Sequence, residues 1–266
     1  MRFTGDRGVD PLAPTPQQFI DFLAHFYATV GLAVGSVLNI KSGVLNFLSN
    51  RSEIVSCHQF KLFLQGLSKC PKATKDAFVW DVNKVIAFLT SVHLDLSSPY
   101  FVGRHLALLI LLFGGRRVHD LTLLSIKPEN MAFVGNSVSL QPVFGSKTDK
   151  LGKIQSPFLF QDGPVFQLSI PSLLRHYLNA TKRVRESNTS LFVRSQLPKG
   201  PASVQLLRSW IKSLLRDSGI TATAGSTRSA SASDALLRGL SIEDIMARGN
   251  WSSAGVLTRH YLKEVQ

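Results

Sequence analysis

The chain has 266 residues, a hydrophobic fraction of 44%, a charged fraction of 18% and a net charge of +13, so its composition is globular but strongly basic. The excess of positive charge is spread along the chain, with 8 Lys and Arg against 4 Asp and Glu in residues 1–75 and 22 against 13 in the rest. Such an excess favours a protein that binds nucleic acid over one that is basic without such a partner. Two cysteines exclude a disulfide framework. The sequence shows no secretory pattern, and its longest apolar run, residues 106–113, is too short to span a bilayer. We therefore expect an intracellular protein that does not enter a membrane.

The first part of the chain predicts a small all-helical domain. Residues 1–13 lead into a proline-rich run that favours an extended arm. From Gln17 apolar residues recur every three or four positions, and shorter helices are predicted over 34–48 and 58–67. Residues 71–76 combine a proline with lysines and lack large aliphatic side chains, which predicts an exposed linker suited to a phosphate backbone.

The remainder of the chain predicts a larger, mainly helical unit. Helices are predicted at 81–89, at 100–113 up to a Gly-Gly break, from about Arg117, at 172–182, at 204–216 and from Ser241. Between residues 137 and 160 the pattern changes, because Val138 and Leu140 alternate with polar neighbours and Phe158 and Phe160 share a parity. This pattern predicts a β-hairpin or small sheet with a lysine-bearing turn.

Two early segments carry side chains suited to phosphate chemistry. Arg117 follows two glycines at a predicted helix start, where its guanidinium could donate two N–H groups to a phosphate; a surface ion pair with Asp120 is the plainer alternative. Lys147 lies in the predicted hairpin turn, where a lysine could deliver a proton, although most turn lysines are simply solvated.

Two late segments add an arginine, a tryptophan and a tyrosine. Arg228 is flanked by small residues that would allow close approach of a backbone, or else it extends outward from a tightly packed helix. Tyr261 follows Trp251 by ten residues, and it is either a nucleophile or an ordinary core tyrosine.

The order and spacing of these segments resemble the tyrosine recombinase (phage integrase) superfamily. Gly-Arg-Arg-Val-His-Asp-Leu (115–121) matches the first arginine box of that family, with Arg117 rather than Arg116 as its arginine and Asp120 in the acidic position. A closer resemblance, to the recombinases of DIRS-type retrotransposons, rests on Ser-Thr-Arg-Ser-Ala-Ser (226–231), Ser-Ile-Glu-Asp-Ile (241–245), Trp-Ser-Ser (251–253) and Arg-His-Tyr-Leu (259–262).

The resemblance implies a role for each matched residue in DNA strand exchange. Tyr261 would attack a scissile phosphate and form a 3′-phosphotyrosyl link, while Arg117 and Arg228 hold the non-bridging oxygens. Lys147, with Lys150 as the alternative, would protonate the leaving oxygen, and Trp251 would donate its indole N–H or pack against the nucleophile's helix. Neither a metal nor a nucleotide cofactor is implied.

One position departs from the family pattern. The family's His-x-x-Arg box has a histidine three residues before the second arginine, and this chain has Gly225 there. Glycine offers no imidazole to the phosphate or to the tyrosine proton. The loss of one such group slows catalysis by about a hundredfold.

The resemblance also implies a domain organisation and an assembly. We expect a two-domain, C-shaped clamp around double-stranded DNA, a homotetramer on two duplexes and a nuclear location. The alternatives are a catalytically impaired or dead DNA-binding protein derived from a recombinase, a type IB topoisomerase, and a helical scaffold without a DNA role. The expected parts are an arm (1–13), a helical core-binding domain (14–70), a linker (71–76) and a catalytic domain (77–266).

Overall fold

A computed structural model of the chain describes residues 10–70, 78–146, 149, 155–196 and 199–266. The chain divides into two compact units, Met1–Lys75 and Asp76–Gln266. Most of the predicted arm and the predicted linker lie outside the described residues, and the clamp stays a prediction. No helix in the described ranges is long and apolar enough to cross a bilayer.

The first unit is helical throughout its described part. Its helices are α1 (Pro16–Ala28), α2 (Val34–Leu45), α3 (Arg51–Ser56) and α4 (His58–Lys69). Helix α1 begins at a capping box in which the Thr15 hydroxyl accepts from the Gln18 amide and the Gln18 side chain accepts from the Thr15 amide. The apolar face of α1 is buried, with Phe19 5.7 Å from the ring of Phe60 in α4. Helix α3 was not predicted, because six residues make fewer than two turns and show no clear periodicity.

The second unit is built around one apolar helix. Its helices are α5 (Val82–Ser91), α6 (Pro99–Gly114), α7 (Ile170–Arg185), α8 (Val204–Asp217), α9 (Thr227–Leu237), α10 (Ile242–Gly249) and α11 (Ala254–His260). Helix α6 is buried along almost its whole length, because α7, α8 and α9 all pack against it. The helix ends at Gly115, whose φ of +65° is the left-handed conformation that glycine adopts without strain. The predicted break after the apolar helix is therefore confirmed.

A small sheet accompanies the helices, and the mainly helical fold class is confirmed. Strands β2 (Met131–Val134), β3 (Ser137–Leu140) and β4 (Phe158–Phe160) pair antiparallel in that order. Val138 pairs with Phe160 and Leu140 pairs with Phe158, and all four side chains are buried. The predicted strands are thus β3 and β4, and β2 is an addition to them.

Two features of the second unit differ from the expectations. The helix predicted from about Arg117 is a 3-10 helix over Val118–Leu123, a form common in short connections, in which the Asp120 N–H donates to the Arg117 carbonyl at 2.9 Å. The second feature is a parallel pair of two-residue strands, β1 (Phe78–Val79) and β5 (Glu264–Val265). Such short strands, far apart in sequence, carry no alternation that could have predicted them.

Candidate active site

The turn after α6 separates the two adjacent arginines of the first box. Arg116 points inward and is 1% exposed. Its three nitrogen atoms donate to the Arg248 carbonyl at 3.1 Å, to the Gln155 side chain at 3.0 Å and to the Ser156 carbonyl at 2.6 Å, and its guanidinium lies 4.3 Å from the centre of the Phe158 ring. Because every nitrogen already has a partner, Arg116 is occupied inside the protein.

Arg117 is half-buried and keeps free donor capacity. Its main-chain N–H donates to the Asp120 carboxylate at 3.0 Å, and the Ser146 hydroxyl donates to the other carboxylate oxygen at 2.9 Å. Nη1 of Arg117 is buried and has no hydrogen-bond partner among the described residues. Asp120 therefore holds the main chain of the box, and the surface ion pair between the two side chains is not observed.

Arg228 lies in the first turn of α9 and is buried instead of extending outward, with 3% exposure. Its Nη2 donates to the Gly249 carbonyl at 2.9 Å. Its Nε and Nη1 have no partner in the described part of the chain. The guanidinium lies 3.9 Å from the centre of the Trp251 ring and 5.3 Å from that of Tyr261.

The charge environment of Arg228 includes the other candidate phosphate-binding arginine, Arg117. Burial, and after it the positive charge of Arg117, lower the pKa of Arg228 to about 10, although Tyr261 and Asp120 act in the opposite direction. At neutral pH the group remains protonated. The two positive charges repel each other, and an anion bound by both guanidinium groups would relieve that repulsion.

Trp251 and Tyr261 complete the cluster. Their ring centroids are 5.4 Å apart at an interplanar angle of 69°, an edge-to-face contact. Trp251 is 8% exposed, and its Nε1 has no acceptor among the described residues. Tyr261 follows α11, is half-buried, and has its main-chain N–H bonded to the Leu257 carbonyl at 2.9 Å. The tyrosine is thus neither a core residue nor a fully exposed one.

The unpaired donors are concentrated in this cluster. The described residues contain five buried side-chain nitrogen or oxygen atoms without a hydrogen-bond partner, and four of them belong to Arg117, Arg228 and Trp251. All four are N–H donors. A buried donor left unpaired costs about 1–3 kcal/mol, so such a group in a native protein needs an explanation. An anionic ligand with several acceptor oxygens supplies one.

Gly225 lies beside this cluster in sequence, three residues before Arg228. It belongs to a 3-10 helix over Ala224–Ser226 and is exposed. A Cβ atom added there would meet only the Thr223 hydroxyl, at 3.8 Å. Gly225 also lines an open groove with the basic residues Arg208 and Lys212 of α8. The position of the family histidine therefore has room for a side chain.

The two candidate lysines, Lys147 and Lys150, lie outside the described residues. Residues close to them in sequence are described. The carboxylate of Asp149 accepts from the main-chain N–H groups of Gly145 and Ser146 at 2.8 Å each, and its other oxygen accepts from the Gln155 side chain. Sequence reasoning did not single out Asp149, Gln155 or Arg116, because nothing in their local sequence indicates these long-range contacts.

Within the described ranges no three His, Cys, Asp or Glu side chains are placed to share a metal ion.

Comparison with known proteins establishes the fold. No protein-family model and no curated protein sequence matches the chain. Among solved structures, the chain is similar to the XerH site-specific recombinase in a post-cleavage complex with its palindromic difH substrate (TM-score 0.62, 14% identity, 91% of this chain and 67% of that one). It is also similar to the Tn1549 transposon integrase in complex with circular intermediate DNA (TM-score 0.57, 11% identity, 100% of this chain and 87% of that one). A third similar structure is that of the XerA recombinase (TM-score 0.51, 16% identity, 97% of this chain and 81% of that one). The chain therefore has the fold of tyrosine recombinases.

Proposed function

We propose that this chain is a site-specific DNA recombinase that cleaves and rejoins DNA through a covalent 3′-phosphotyrosyl intermediate. The observation that carries the proposal is the cluster of buried, unpaired N–H donors of Arg117, Arg228 and Trp251 beside the ring of Tyr261. Such donors match the acceptor oxygens of a phosphodiester, and they occur in a chain with the tyrosine recombinase fold.

The two arginines would stabilise the charge that develops on the phosphate. A phosphorane transition state carries more negative charge on its non-bridging oxygens than the diester does. Donors that are already desolvated and held in place bind that extra charge without reorganisation. Arg228 is held by its bond to the Gly249 carbonyl and by the Trp251 ring, so its remaining donors are preorganised for this role.

Tyr261 is the proposed nucleophile. Its phenolic proton would pass to solvent as its oxygen attacks phosphorus, and the bond from phosphorus to the 5′ oxygen would break. The freed 5′ oxygen would take up a proton, which we assign to Lys147, and so become a 5′-hydroxyl. Attack by the 5′-hydroxyl of a second strand reverses the step and releases the tyrosine. The phosphate ester bond is conserved throughout, so the cycle needs no energy source.

The partner we propose is double-stranded DNA, to which the chain would bind as a homotetramer on two duplexes. The net charge of +13 supports DNA binding, as do Arg208 and Lys212 in the groove beside Gly225. The XerH and Tn1549 proteins were solved with their substrate and with DNA, respectively. A DIRS-like mobile element as the source, and with it a nuclear location, rests on the sequence resemblance of the segments around Arg228 and Tyr261.

A DNA-binding protein with impaired chemistry is the second candidate. Gly225 favours it, because an exposed glycine with open space around it supplies no imidazole to the phosphate or to the tyrosine proton. Both candidates predict salt-sensitive DNA binding. The first predicts a covalent adduct, whereas the second predicts a slow yield if the chemistry is impaired and none if it is lost.

A nicked suicide substrate separates the two candidates. Cleavage of such a duplex traps the covalent protein–DNA adduct, because the short strand with the 5′-hydroxyl diffuses away. We expect an adduct with the unmodified chain, none with Tyr261→Phe, and an unchanged yield with the control Tyr100→Phe in the same unit. Salt-sensitive binding without any adduct would support the second candidate. An adduct that persists in Tyr261→Phe would disprove the assignment of the nucleophile.

A further inference from the structure

Arg116 connects three segments that are distant in sequence. It lies next to Arg117 in the first box, and its guanidinium bonds to residues 155–156 on one side and to the Arg248 carbonyl on the other. Residues 155–156 follow the segment that carries Lys147 and Lys150, and Arg248 precedes the segment that carries Trp251. One buried side chain thus ties together the surroundings of three of the proposed site residues.

A second arginine bonds at the same place. Arg228 donates to the Gly249 carbonyl, the residue after the one that Arg116 binds. Both carbonyls lie in the last turn of α10, where the helix dipole favours positive charge. Neither guanidinium has a carboxylate among its hydrogen-bond partners in the described part of the chain. The end of α10, from which the chain continues to Trp251, is therefore held between the arginine box and α9.

Gln155 connects Arg116 to Asp149, which lies between the two candidate lysines in sequence. Gln155 is 8% exposed and uses its carbonyl oxygen to accept from Arg116 and its amide nitrogen to donate to Asp149. Asp149 in turn accepts from the main-chain N–H groups of Gly145 and Ser146. Gly145, Ser146 and Asp149, which flank Lys147 in sequence, are thus linked to the arginine box through Gln155 and Arg116.

We propose that Arg116 is a positioning residue for DNA cleavage, which holds Arg228 and Trp251 opposite Arg117 by fixing the end of α10 and residues 155–156. The inference rests on the proposed function. Arg116 itself does not touch the DNA, since its three nitrogen atoms are occupied and the side chain is buried. Its effect is on the geometry of the groups that do.

The experiment compares two buried arginines. Arg116→Met keeps an unbranched side chain of similar length but leaves three acceptors unpaired. Arg185→Met is the matched control, because Arg185 is 6% exposed and donates to the Thr181 hydroxyl and to the carbonyls of Ser190 and Leu191, away from the cluster. Both variants lose three hydrogen bonds from one buried guanidinium, so similar losses of stability are expected.

The rate of adduct formation at saturating DNA is the first readout. We expect Arg116→Met to slow it by about a hundredfold, since a shift of about 1 Å in a catalytic group has an effect of that size. Arg185→Met should change it by less than about threefold once the folded fraction is taken into account, and the Kd for DNA should be similar in both variants. Arg116→Lys keeps the charge and part of the bonding, and should recover about tenfold of the loss. Equal rates in the two Met variants would overturn the inference while leaving the proposed function intact.

Hydrogen exchange is the second readout, and it does not depend on activity. In Arg116→Met, peptides covering residues 155–160 and 245–252 should exchange faster than in the unmodified chain, whereas Arg185→Met should affect residues 181–191. Unchanged exchange in the first two segments would overturn the positioning role whatever the cleavage rate. If the unmodified chain forms no adduct, the proposed function fails and the exchange data still decide whether Arg116 holds these segments.

Discussion

Gly249 offers a sharp test of the packing around Tyr261. This glycine ends α10, and a Cβ atom added to it would lie 1.7 Å from Cζ3 of Trp251 and 2.2 Å from its Cε3. No contact that short is possible, so Gly249→Ala must displace the indole. The indole has little room to move, because the Arg228 guanidinium lies 3.9 Å from its centre and the Tyr261 ring meets it edge to face.

The expected size of the effect follows from two opposing terms. Replacing a helical glycine by alanine ordinarily stabilises a protein by about 0.5–1 kcal/mol, because the unfolded chain loses freedom. Overpacking of a buried site costs about 1–3 kcal/mol. Gly249→Ala should therefore lower the free energy of unfolding by up to about 2 kcal/mol. Because the displaced indole contacts both Arg228 and Tyr261, the rate of adduct formation should fall by about tenfold to a hundredfold.

Gly255→Ala is the matched control for this prediction. Gly255 lies in α11, close to Gly249 in sequence, and an added Cβ atom there meets only the Ser253 hydroxyl at 3.8 Å. This variant should be as stable as the unmodified chain or slightly more stable, with normal cleavage. Urea unfolding gives the stabilities, and single-turnover cleavage of the suicide substrate gives the rates. If the two alanine variants have the same stability and rate, the described packing of Trp251 against α10 is wrong.

Three further predictions concern other groups. Gly225→His should fold normally, because its surroundings are open, and should raise the cleavage rate by up to about a hundredfold; an unchanged rate would mean that the missing imidazole does not limit the reaction. Ser233→Ala removes a buried hydroxyl that accepts from the Lys263 main-chain N–H at 2.9 Å, so it should cost about 1–3 kcal/mol in urea unfolding, and a neutral result would refute the role of that bond. Burial lowers the pKa of His105, so the unfolded state binds its proton first as the pH falls; stability should decrease below about pH 6.5, and His105→Gln should lose that part of the pH dependence. A decrease of the same size in the variant would assign it to other groups.

Much of the fold could be predicted from local patterns. The apolar stripe of α8 recurs at helical spacing, and the structure buries its Leu207, Trp210, Ile211, Leu214 and Leu215. The parity of the strand residues predicted β3 and β4 because side chains alternate between the two faces of a sheet. These signals are visible in sequence because neighbouring residues determine them. The paired strands β1 and β5 gave no such signal, since each has two residues and their partners are far apart along the chain.

The candidate site, too, could be predicted only in part from the sequence. Order and spacing, through their resemblance to the tyrosine recombinase pattern, selected Arg117, Arg228, Trp251 and Tyr261, and they also selected Lys147, which stays a prediction. The sequence could not indicate that Arg228 is buried against two aromatic rings, nor that its donors and that of Trp251 lack partners. Such properties depend on which segments meet in space.

Arg116 and Arg117 show most clearly what the sequence determines and what the tertiary structure determines. The sequence by itself determined that a basic chain carries a buried helix followed by two glycines and two arginines, and motif spacing favoured the second arginine. Only the tertiary structure decided how the two differ, because the acceptor of the Arg116 Nε is a carbonyl 132 residues further along the chain. Hydrogen bonds over such separations form only after the core has brought α10 beside the end of α6. Folding therefore occupies one guanidinium inside the protein and leaves Nη1 of its neighbour without a partner among the described residues.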